Sequence, residues 1–295
     1  MLTIDRDWVA VARDHRYRRT PERRVQTIEA AEDFINDVGF AFLWPIKGVE
    51  APNLFHAIAG RARDVPMAHD DPDLSLCWGW KDRSLGGRRW YYAKLLRRRA
   101  TLVAPRLWGH FYALTENYGD LTDYMEQVEA GNMTHEARQI YEALLAHGPL
   151  GTVALRAAVG MDAPSSKSRF ERGLVELEID MKVMPVAVGD EGAWRYSFIY
   201  DIPMRHYPDL PDMARGLETG EVWQTLIGEY IDAVVAASTR EIAALFHIFK
   251  PTQRELDRAL QVLVAAGRIE EAQTTNGKAP LHVWVSTRAL AFDPD

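Results

Sequence analysis

The chain has 295 residues, of which 47% are hydrophobic and 26% charged, and its formal net charge is −7. This much apolar sequence can form the cores of two or three domains, so global disorder is excluded. No stretch approaches the roughly 20 apolar residues of a membrane-spanning helix, and the single cysteine, Cys77, excludes an intrachain disulfide and a cysteine-rich zinc site. The N-terminus lacks a signal-peptide pattern, which favours a cytoplasmic protein without a membrane partner.

Charge is distributed unevenly along the chain. Residues 1–110 contain 19 Lys and Arg against 14 Asp and Glu, a balance of +5, whereas residues 111–295 contain 16 against 28, a balance of −12. The negative total argues mildly against a nucleic-acid partner. The N-terminal third could nevertheless present a phosphate-binding surface. The alternative is an asymmetry that serves no partner.

The first 130 residues give the weaker structural signals. Residues 1–24 are predicted to form a flexible basic arm, because they contain a run of arginines: Arg13, Arg16, Arg18, Arg19, Arg23 and Arg24. Residues 25–130 are predicted to form a helical domain that is compatible with a degenerate winged helix. Its predicted elements are helices at 25–38, 53–62, 88–99 and 106–116, an apolar strand at 40–44 and a short strand at 101–104.

The segment 88–99 carries the strongest basic signal of the chain. As a helix it would bury Tyr91, Tyr92, Leu95 and Leu96 on one face. Its predicted exposed surface consists of Arg88, Arg89, Trp90, Lys94, Arg97 and Arg98. Such cations could bind phosphates, and an exposed indole could stack on an unpaired base. The alternative is that these arginines pair with the acidic C-terminal half.

Residues 131–202 and 218–291 are each predicted to be a winged helix, since both follow the order helix, helix, helix, hairpin. The first has predicted helices at 134–146, 152–159 and 165–178 and strands at 179–188 and 194–200. The second has predicted helices at 220–237, 238–248 and 252–266 and strands at 268–274 and 280–286. A linker rich in Pro and Asp, residues 203–217, separates them. The predicted fold class is therefore α+β and helix-dominated, with tandem winged-helix units.

Local signals support several boundaries of the last unit. Ser238 with Glu241, and Thr252 with Glu255, have the spacing of capping boxes. Gly267 is typical of a helix C-terminus. The dipeptide 276–277, Asn-Gly, predicts a tight hairpin turn.

The third helix of a winged helix is the element that enters the major groove in helix-turn-helix proteins. In the first unit this helix would bury Phe170, Leu174 and Leu177 and expose Lys167, Ser168, Arg169 and Arg172. Arginine suits guanine edges and serine suits phosphate, although neighbouring glutamates oppose DNA contact. The alternative is a solvated face. The equivalent face of the last unit is neutral, which favours a structural or protein-facing role: Arg254, Asp257, Arg258 and Gln261.

Cofactor and metal chemistry find little support. The histidines lack HxH, HxxxH and HExxH spacing, and no GxGxxG, Walker or GxSxG pattern occurs. His69 with Asp70, Asp71 and Asp73 is interpreted as a solvated turn rather than a metal site. Cys77 lies between Leu76 and Trp78 and is predicted to be an inert core thiol. Neither a cofactor nor a metal is therefore predicted.

Several segments resemble the AlkZ family, the winged-helix DNA glycosylases that unhook interstrand crosslinks. They are the helix ending Asp37-Val38-Gly39 before an apolar strand, the stretch 95–102 (LLRRRATL), and the repeated winged helices. The resemblance runs from about Val25 to Val285. It implies winged-helix units around a basic DNA channel.

The family's catalytic signature, Gln-x-Gln in the strand after the first long helix, is absent here. The corresponding stretch, residues 39–44, reads GFAFLW, and no two glutamines of the chain are separated by one residue. The resemblance therefore implies an AlkZ-related, diverged protein, and no catalytic residue is assigned.

The sequence supports three hypotheses about the function. The preferred one is a DNA-binding protein without a recognisable catalytic motif. The first alternative is a glycosylase for alkylated or crosslinked bases that uses a non-standard site, for which Asp37, Lys47 and Glu50 are the nearby polar residues. The second is a module whose winged helices bind a partner protein. An enzyme is thus left open, with no activity claimed.

Overall fold

A computed structural model of the chain describes residues 2–67, 70–115, 117–191, 195–277 and 279–293. The chain divides into two compact units. Unit 1 consists of residues 1–80, 102–107 and 217–295, and unit 2 of residues 81–101 and 108–216. Both units are therefore assembled from segments that are distant in sequence.

Helices dominate both units. In chain order the α-helices are α1 (Arg6–Arg16), α2 (Ile28–Val38), α3 (Leu54–Ala59), α4 (Pro72–Arg83), α5 (Trp108–Tyr112), α6 (Tyr124–Glu129), α7 (His135–His147), α8 (Thr152–Ala158), α9 (Lys167–Ile179), α10 (Pro203–His206), α11 (Leu210–Ala214), α12 (Thr219–Val234), α13 (Thr239–Phe246), α14 (Gln253–Ala265) and α15 (Thr287–Leu290). Within the described ranges, none of them has both the length and the apolar composition needed to span a bilayer.

Short strands complete the fold. They are β1 (Leu2–Asp5), β2 (Phe40–Phe42), β3 (Tyr91–Ala93), β4 (Thr101–Val103), β5 (Leu150–Gly151), β6 (Met184–Gly189), β7 (Ser197–Asp201), β8 (Ala236–Ala237), β9 (Ile269–Thr275) and β10 (His282–Ser286). Small sheets beside a helical majority confirm the predicted helix-dominated α+β class.

The core of unit 2 lies beneath a three-stranded sheet in which β7 pairs antiparallel with both β5 and β6. Helix α7 packs against α8 and α9, and α8 packs against β7. The side chains buried between them include Ile140, Leu144, Phe170, Leu174 and Leu177. The crossing of α7 and α9 is close, because a Cβ added at Gly173 would lie 3.0 Å from the backbone nitrogen of Ala137.

Three segments of unit 2 differ from the prediction. The strand expected over 179–188 begins only at Met184, because the chain first turns through Met181 at φ 50° and the amides of residues 182 and 183 both donate to the Leu177 carbonyl. The expected strand 194–200 begins at Ser197, and Trp194 lies outside the described residues. The segment expected to be a linker forms α10 and α11, whose connection buries Tyr207.

The C-terminal part of unit 1 follows the predicted order of elements. Its sheet has the strand order β1-β9-β10-β8, with β10 antiparallel to β9 and β8. The capping boxes of Ser238 and Thr252 are both formed and begin α13 and α14. The hairpin is wider than predicted: strands end at Thr275 and resume at His282, so residues 276–277 begin a longer loop.

The N-terminal residues are not a flexible arm, and that prediction is wrong. Strand β1 pairs in parallel with β9, in a register that places Leu2 opposite Ala272. Helix α1 buries Val9 and Ala12, which join the apolar cluster formed with Val283 and Val285. The reason for the error is that β1 gains its backbone partner from a strand at the other end of the chain.

Arg13, one of the arginines of the expected arm, holds a strained turn. Its guanidinium donates to the carbonyls of Val234 at 2.7 Å and Ala236 at 2.6 Å. Val235 between them is buried and has φ 69° and ψ −51°, a region that β-branched residues rarely adopt. The two hydrogen bonds therefore fix the transition from α12 to β8.

The same transition occurs near the N-terminus of unit 1. Helix α2 ends at Gly39 with φ 79° and ψ −49°, and β2 follows at once. The chain then continues through α3 and α4. Residues 28–83 thus repeat the helix, strand, helix, helix order of residues 219–265.

Candidate nucleic-acid interface

All the residues predicted to contact DNA belong to unit 2. Those on the first basic segment lie within residues 83–115, a stretch that contains eight Lys and Arg and no Asp or Glu. The helix predicted over 88–99 is wrong: residues 91–93 form β3, a turn follows, and residues 101–103 form β4. Tyr91 and Ala93 are buried while Tyr92 between them is half-buried. This alternation has the period of a strand and not that of the predicted helix.

Trp90 does not offer a surface for base stacking. Its side chain is only 1% exposed, whereas the prediction required an exposed indole. The neighbouring Tyr91 lies against the rings of Trp108 and Tyr207, at centroid distances of 6.3 and 6.1 Å. This aromatic cluster belongs to the interior of unit 2, so burial of large apolar rings explains the difference.

Arg88 is held by groups of the protein itself. Its guanidinium forms an ion pair with Asp209 and lies 5.6 Å from the ring centroid of Trp108. The hydrogen bond to Asp209 raises the pKa of Arg88, and the same bond lowers the pKa of Asp209. Arg89 is half-buried. These two arginines are therefore less suited to phosphate contact than the sequence predicted.

Lys94 is engaged with a carboxylate at the C-terminal end of α9. The backbone N–H of Lys94 donates to Glu178 Oε2 at 2.7 Å, and its Nζ lies 3.4 Å from Oε1. Glu178 is 2% exposed, and this burial raises the pKa of its carboxyl group, although Lys94 acts in the opposite direction. The ammonium group therefore compensates a buried negative charge rather than extending the basic face.

The turn between β3 and β4 presents three consecutive arginines. Arg97, Arg98 and Arg99 are exposed, and the preceding Leu95 and Leu96 are fully buried. Arg97 and Arg98 adopt left-handed conformations, with φ 54° and 56°. The turn is closed by the Leu96 carbonyl, which accepts from the Arg99 N–H at 2.9 Å.

The hydroxyl group of Thr101 reinforces this turn. It donates to the Arg99 carbonyl at 2.8 Å and accepts from the Leu96 N–H at 3.3 Å. We name residues 97–99 the arginine turn. Arg99 was not among the predicted contacts, although the run of three arginines in the sequence could have indicated it.

The predicted exposed face of α9 is present. Phe170, Leu174 and Leu177 are buried as expected. The four polar residues predicted for the opposite side are all exposed: Lys167, Ser168, Arg169 and Arg172. We name these four the α9 basic face.

Acidic neighbours reduce the charge of this face. Lys167 lies 3.8 Å from Glu171, and Arg169 lies 3.6 Å from Glu136. Arg172 donates to the Ser168 hydroxyl group at 2.8 Å. Exposed ion pairs of this kind are weak, so a phosphate could replace the carboxylates.

The arginine turn and the α9 basic face belong to the same unit, but the turn packs near the C-terminal end of α9 and the basic face lies nearer its N-terminal end. The Leu96–Arg98 segment contacts α9, and Lys94 contacts Glu178 near its C-terminal end. Arg172 lies six residues earlier, about 9 Å along the helix axis. Their DNA contacts remain a prediction.

The region that corresponds to Gln-x-Gln is an apolar strand in unit 1. Phe40, Ala41, Phe42 and Leu43 are all buried, and the ring of Phe40 lies 6.5 Å from that of Tyr230. No side chain of this strand offers a polar atom to a water molecule. Of the nearby polar residues, Asp37 pairs with Arg16 at 2.8 Å and Glu50 lies 3.6 Å from Arg13.

The remaining chemical candidates are structural. Asp71 and Asp73 both form ion pairs with Arg63, and Asp71 also accepts from the Leu74 N–H at the start of α4. His69 of the same stretch lies outside the described residues. Cys77 is buried, as predicted, with its Sγ 3.7 Å from the Leu43 carbonyl oxygen.

Comparison with known proteins places the chain in a family. A model of the AlkZ-related family matches residues 25–247, whereas a search of curated proteins finds no match. Among solved structures the chain is similar to Streptomyces sahachiroi DNA glycosylase AlkZ, with a TM-score of 0.62 and 15% identity over 99% of this chain and 74% of that one. At this identity the likeness concerns the fold. The family match spans most of the sequence, so the chain belongs to the AlkZ-related family.

Proposed function

We propose that this protein binds DNA through unit 2, using the arginine turn and the α9 basic face. The observation that carries the proposal is the arginine turn: three adjacent exposed cations on a backbone with two left-handed residues. Each such residue costs about 1–2 kcal/mol, and strain of this kind concentrates at functional sites. Selection for a stable turn alone would favour glycine or asparagine at these positions.

The charge around the turn supports the proposal. Residues 83–115 contain eight Lys and Arg and no carboxylate, so the sequence around the turn is strongly basic. Arginine clusters bind phosphates through paired N–H groups, and such contacts position a protein on DNA without reading its sequence. We therefore assign the turn to the DNA backbone.

The α9 basic face supplies the sequence-dependent part of the proposal. Lys167 and Ser168 lie in the first turn of this 13-residue helix, where their ammonium and hydroxyl groups can bind a phosphate. Arg169 and Arg172 follow on the exposed side and can reach guanine edges. The equivalent helix α14 exposes Asp257 beside Arg254 and Arg258, so we assign it no base contact.

The architecture offers indirect support. Residues 131–202 and 218–291 are proposed to be winged helices, and residues 25–130 a diverged third one. The strand orders β5-β7-β6 and β8-β10-β9 are equivalent, and residues 28–83 repeat the leading elements. The solved relative is named a DNA glycosylase. We propose DNA binding for this chain and no base excision, because Phe40 and Phe42 supply no hydrogen bond to a catalytic water.

Fluorescence anisotropy with a labelled duplex tests the proposal. Arg97→Gln/Arg98→Gln/Arg99→Gln should weaken binding to all sequences alike, and Arg169→Gln/Arg172→Gln should also alter sequence preference. Arg254→Gln/Arg258→Gln on α14 removes the same charge as the α9 variant and should leave affinity unchanged. Equal losses in the α9 and α14 variants, or no binding at low salt, would favour a protein partner instead.

A further inference from the structure

A cavity in unit 1 forms a second centre of positive charge. It has a volume of about 290 Å³ and lies among α1, the end of α2 and the C-terminal segment. The charged and aromatic side chains used below line it: His15, Arg16, Arg23, Asp37, Arg288 and Phe292. None of them belongs to the arginine turn or the α9 basic face.

One carboxylate of the cavity serves two arginines. The guanidinium group of Arg16 donates to Oδ1 of Asp37 and to the backbone carbonyl of Asp37, each at 2.8 Å. The guanidinium group of Arg288 donates to the same Oδ1 atom at 3.2 Å. The other acidic residue of the lining, Asp232, is already paired with Arg268 at 2.8 Å. Asp37 is therefore the carboxylate that balances the cavity arginines.

Among the residues that the structure describes, no carboxylate forms an ion pair with Arg23, unlike Arg16 and Arg288. Its Nε is buried and has no hydrogen-bond partner in the part of the chain that the structure describes. Burial, with Arg18 and Arg16 nearby, lowers the pKa of Arg23, and Asp37 only partly offsets this. Three guanidinium groups, those of Arg16, Arg23 and Arg288, thus face one carboxylate, which leaves a balance of 3 − 1 = +2.

We propose that this cavity binds a phosphate monoester, with Arg23 and Arg288 as the phosphate ligands. A monoester carries about −1.5 to −2 charges at neutral pH and offers three acceptor oxygens. This charge matches the excess positive charge of the cavity lining. Guanidinium groups bind phosphate oxygens through paired N–H donors. The rings of His15 and Phe292, 4.7 Å apart, supply an aromatic wall for the esterified group.

The size of the cavity limits the ligand. A volume near 290 Å³ lies at the lower end of small-molecule sites, so it admits a mononucleotide-sized group and not a duplex. Two sources share this chemistry: a free nucleoside monophosphate, or the terminal 5′-phosphate of a DNA strand. The proposal does not depend on DNA contact by unit 2.

Isothermal titration calorimetry separates these sources. The probes are thymidine 5′-monophosphate, thymidine, and one short single strand with either a 5′-phosphate or a 5′-hydroxyl group. Tighter binding of the monophosphate than of thymidine supports a free ligand. A preference confined to the 5′-phosphorylated strand supports a DNA end. Absence of any phosphate-dependent binding at millimolar ligand overturns the proposal.

Matched variants localise the binding. Arg23→Gln should weaken it at least tenfold, because a hydrogen-bonded charge is lost from a partly desolvated site. Arg24→Gln removes the same charge one residue away, from an exposed side chain outside the cavity, and should bind as wild type does. Arg288→Gln, at a largely exposed position that does not endanger folding, should also weaken binding. Equal effects of Arg23→Gln and Arg24→Gln would overturn the proposal.

Discussion

Replacing Arg97 and Arg98 by glycine should make the protein more stable and lower its affinity for DNA. Both residues lie in the left-handed region, at φ 54° and 56°. Removing the strain of this conformation should stabilise the folded state by about 1–2 kcal/mol per residue. The larger conformational entropy of glycine in the unfolded chain should offset about 0.5–1 kcal/mol of this gain per residue. The double variant should therefore gain about 1–2 kcal/mol in free energy of unfolding, which urea denaturation can measure.

The same variant loses two exposed cations of the arginine turn. If each contacts one phosphate, the slope of log affinity against log salt should become shallower by about 0.9 per contact, or about 1.8 in total. Fluorescence anisotropy with a duplex over a series of salt concentrations measures this slope.

A matched alanine variant separates backbone strain from charge. Arg97→Ala/Arg98→Ala removes the same cations but keeps a Cβ atom at both left-handed positions. It should lose DNA affinity to the same extent and gain none of the stability. Equal stabilities of the glycine and alanine variants would refute the strain argument, and an unchanged salt slope would refute the phosphate contacts.

Three further outcomes follow from the buried groups. Burial raises the folded-state pKa of Glu178 above its ordinary 4.5, so the stability that this group contributes is fully present below pH 4.5 and is lost as pH rises through the folded pKa. Lys94→Met removes the cation that opposes this shift, so it should enlarge the loss of stability up to neutral pH. Urea denaturation at a series of pH values measures the loss, and a pH profile identical to that of the wild type would contradict the prediction. Lys182→Met should lower the free energy of unfolding by about 3–5 kcal/mol, since it leaves the buried carboxylate of Asp123, 2.7 Å from Lys182 Nζ, without its cation. An unchanged urea concentration at the midpoint of unfolding would disprove this. DNA containing 7-methylguanine should yield no abasic sites above the protein-free control, because Phe40 and Phe42 cannot hold a water, and protein-dependent release of the base would oppose this.

Sequence reasoning succeeded where the determinants are local. The capping boxes at Ser238 and Thr252 involve residues three apart, and both begin helices as predicted. The apolar period of α9 also placed Phe170 and Leu174 in the core and the basic residues outside. Such signals act within one or two helical turns, so no knowledge of the rest of the fold is needed.

It failed where a distant partner decides the structure. The tyrosine and leucine residues of segment 88–99 fit a helical face, yet the alternation through Tyr91 and Ala93 fits a strand equally well, and packing selects the strand. Asp209 lies 121 residues from Arg88, and Glu178 lies 84 residues from Lys94. The occupation of these cations by acids could not be read from their neighbours.

DNA–protein cross-linking with peptide identification tests the central claim most directly. A duplex carrying a photoreactive group on its backbone, bound to the wild-type protein at low salt, should become attached to peptides that contain residues 97–99 and 167–172. Substitution of the three arginines of the turn by glutamine should remove the first attachment. Cross-links confined to α14, or unchanged after that substitution, would contradict the account.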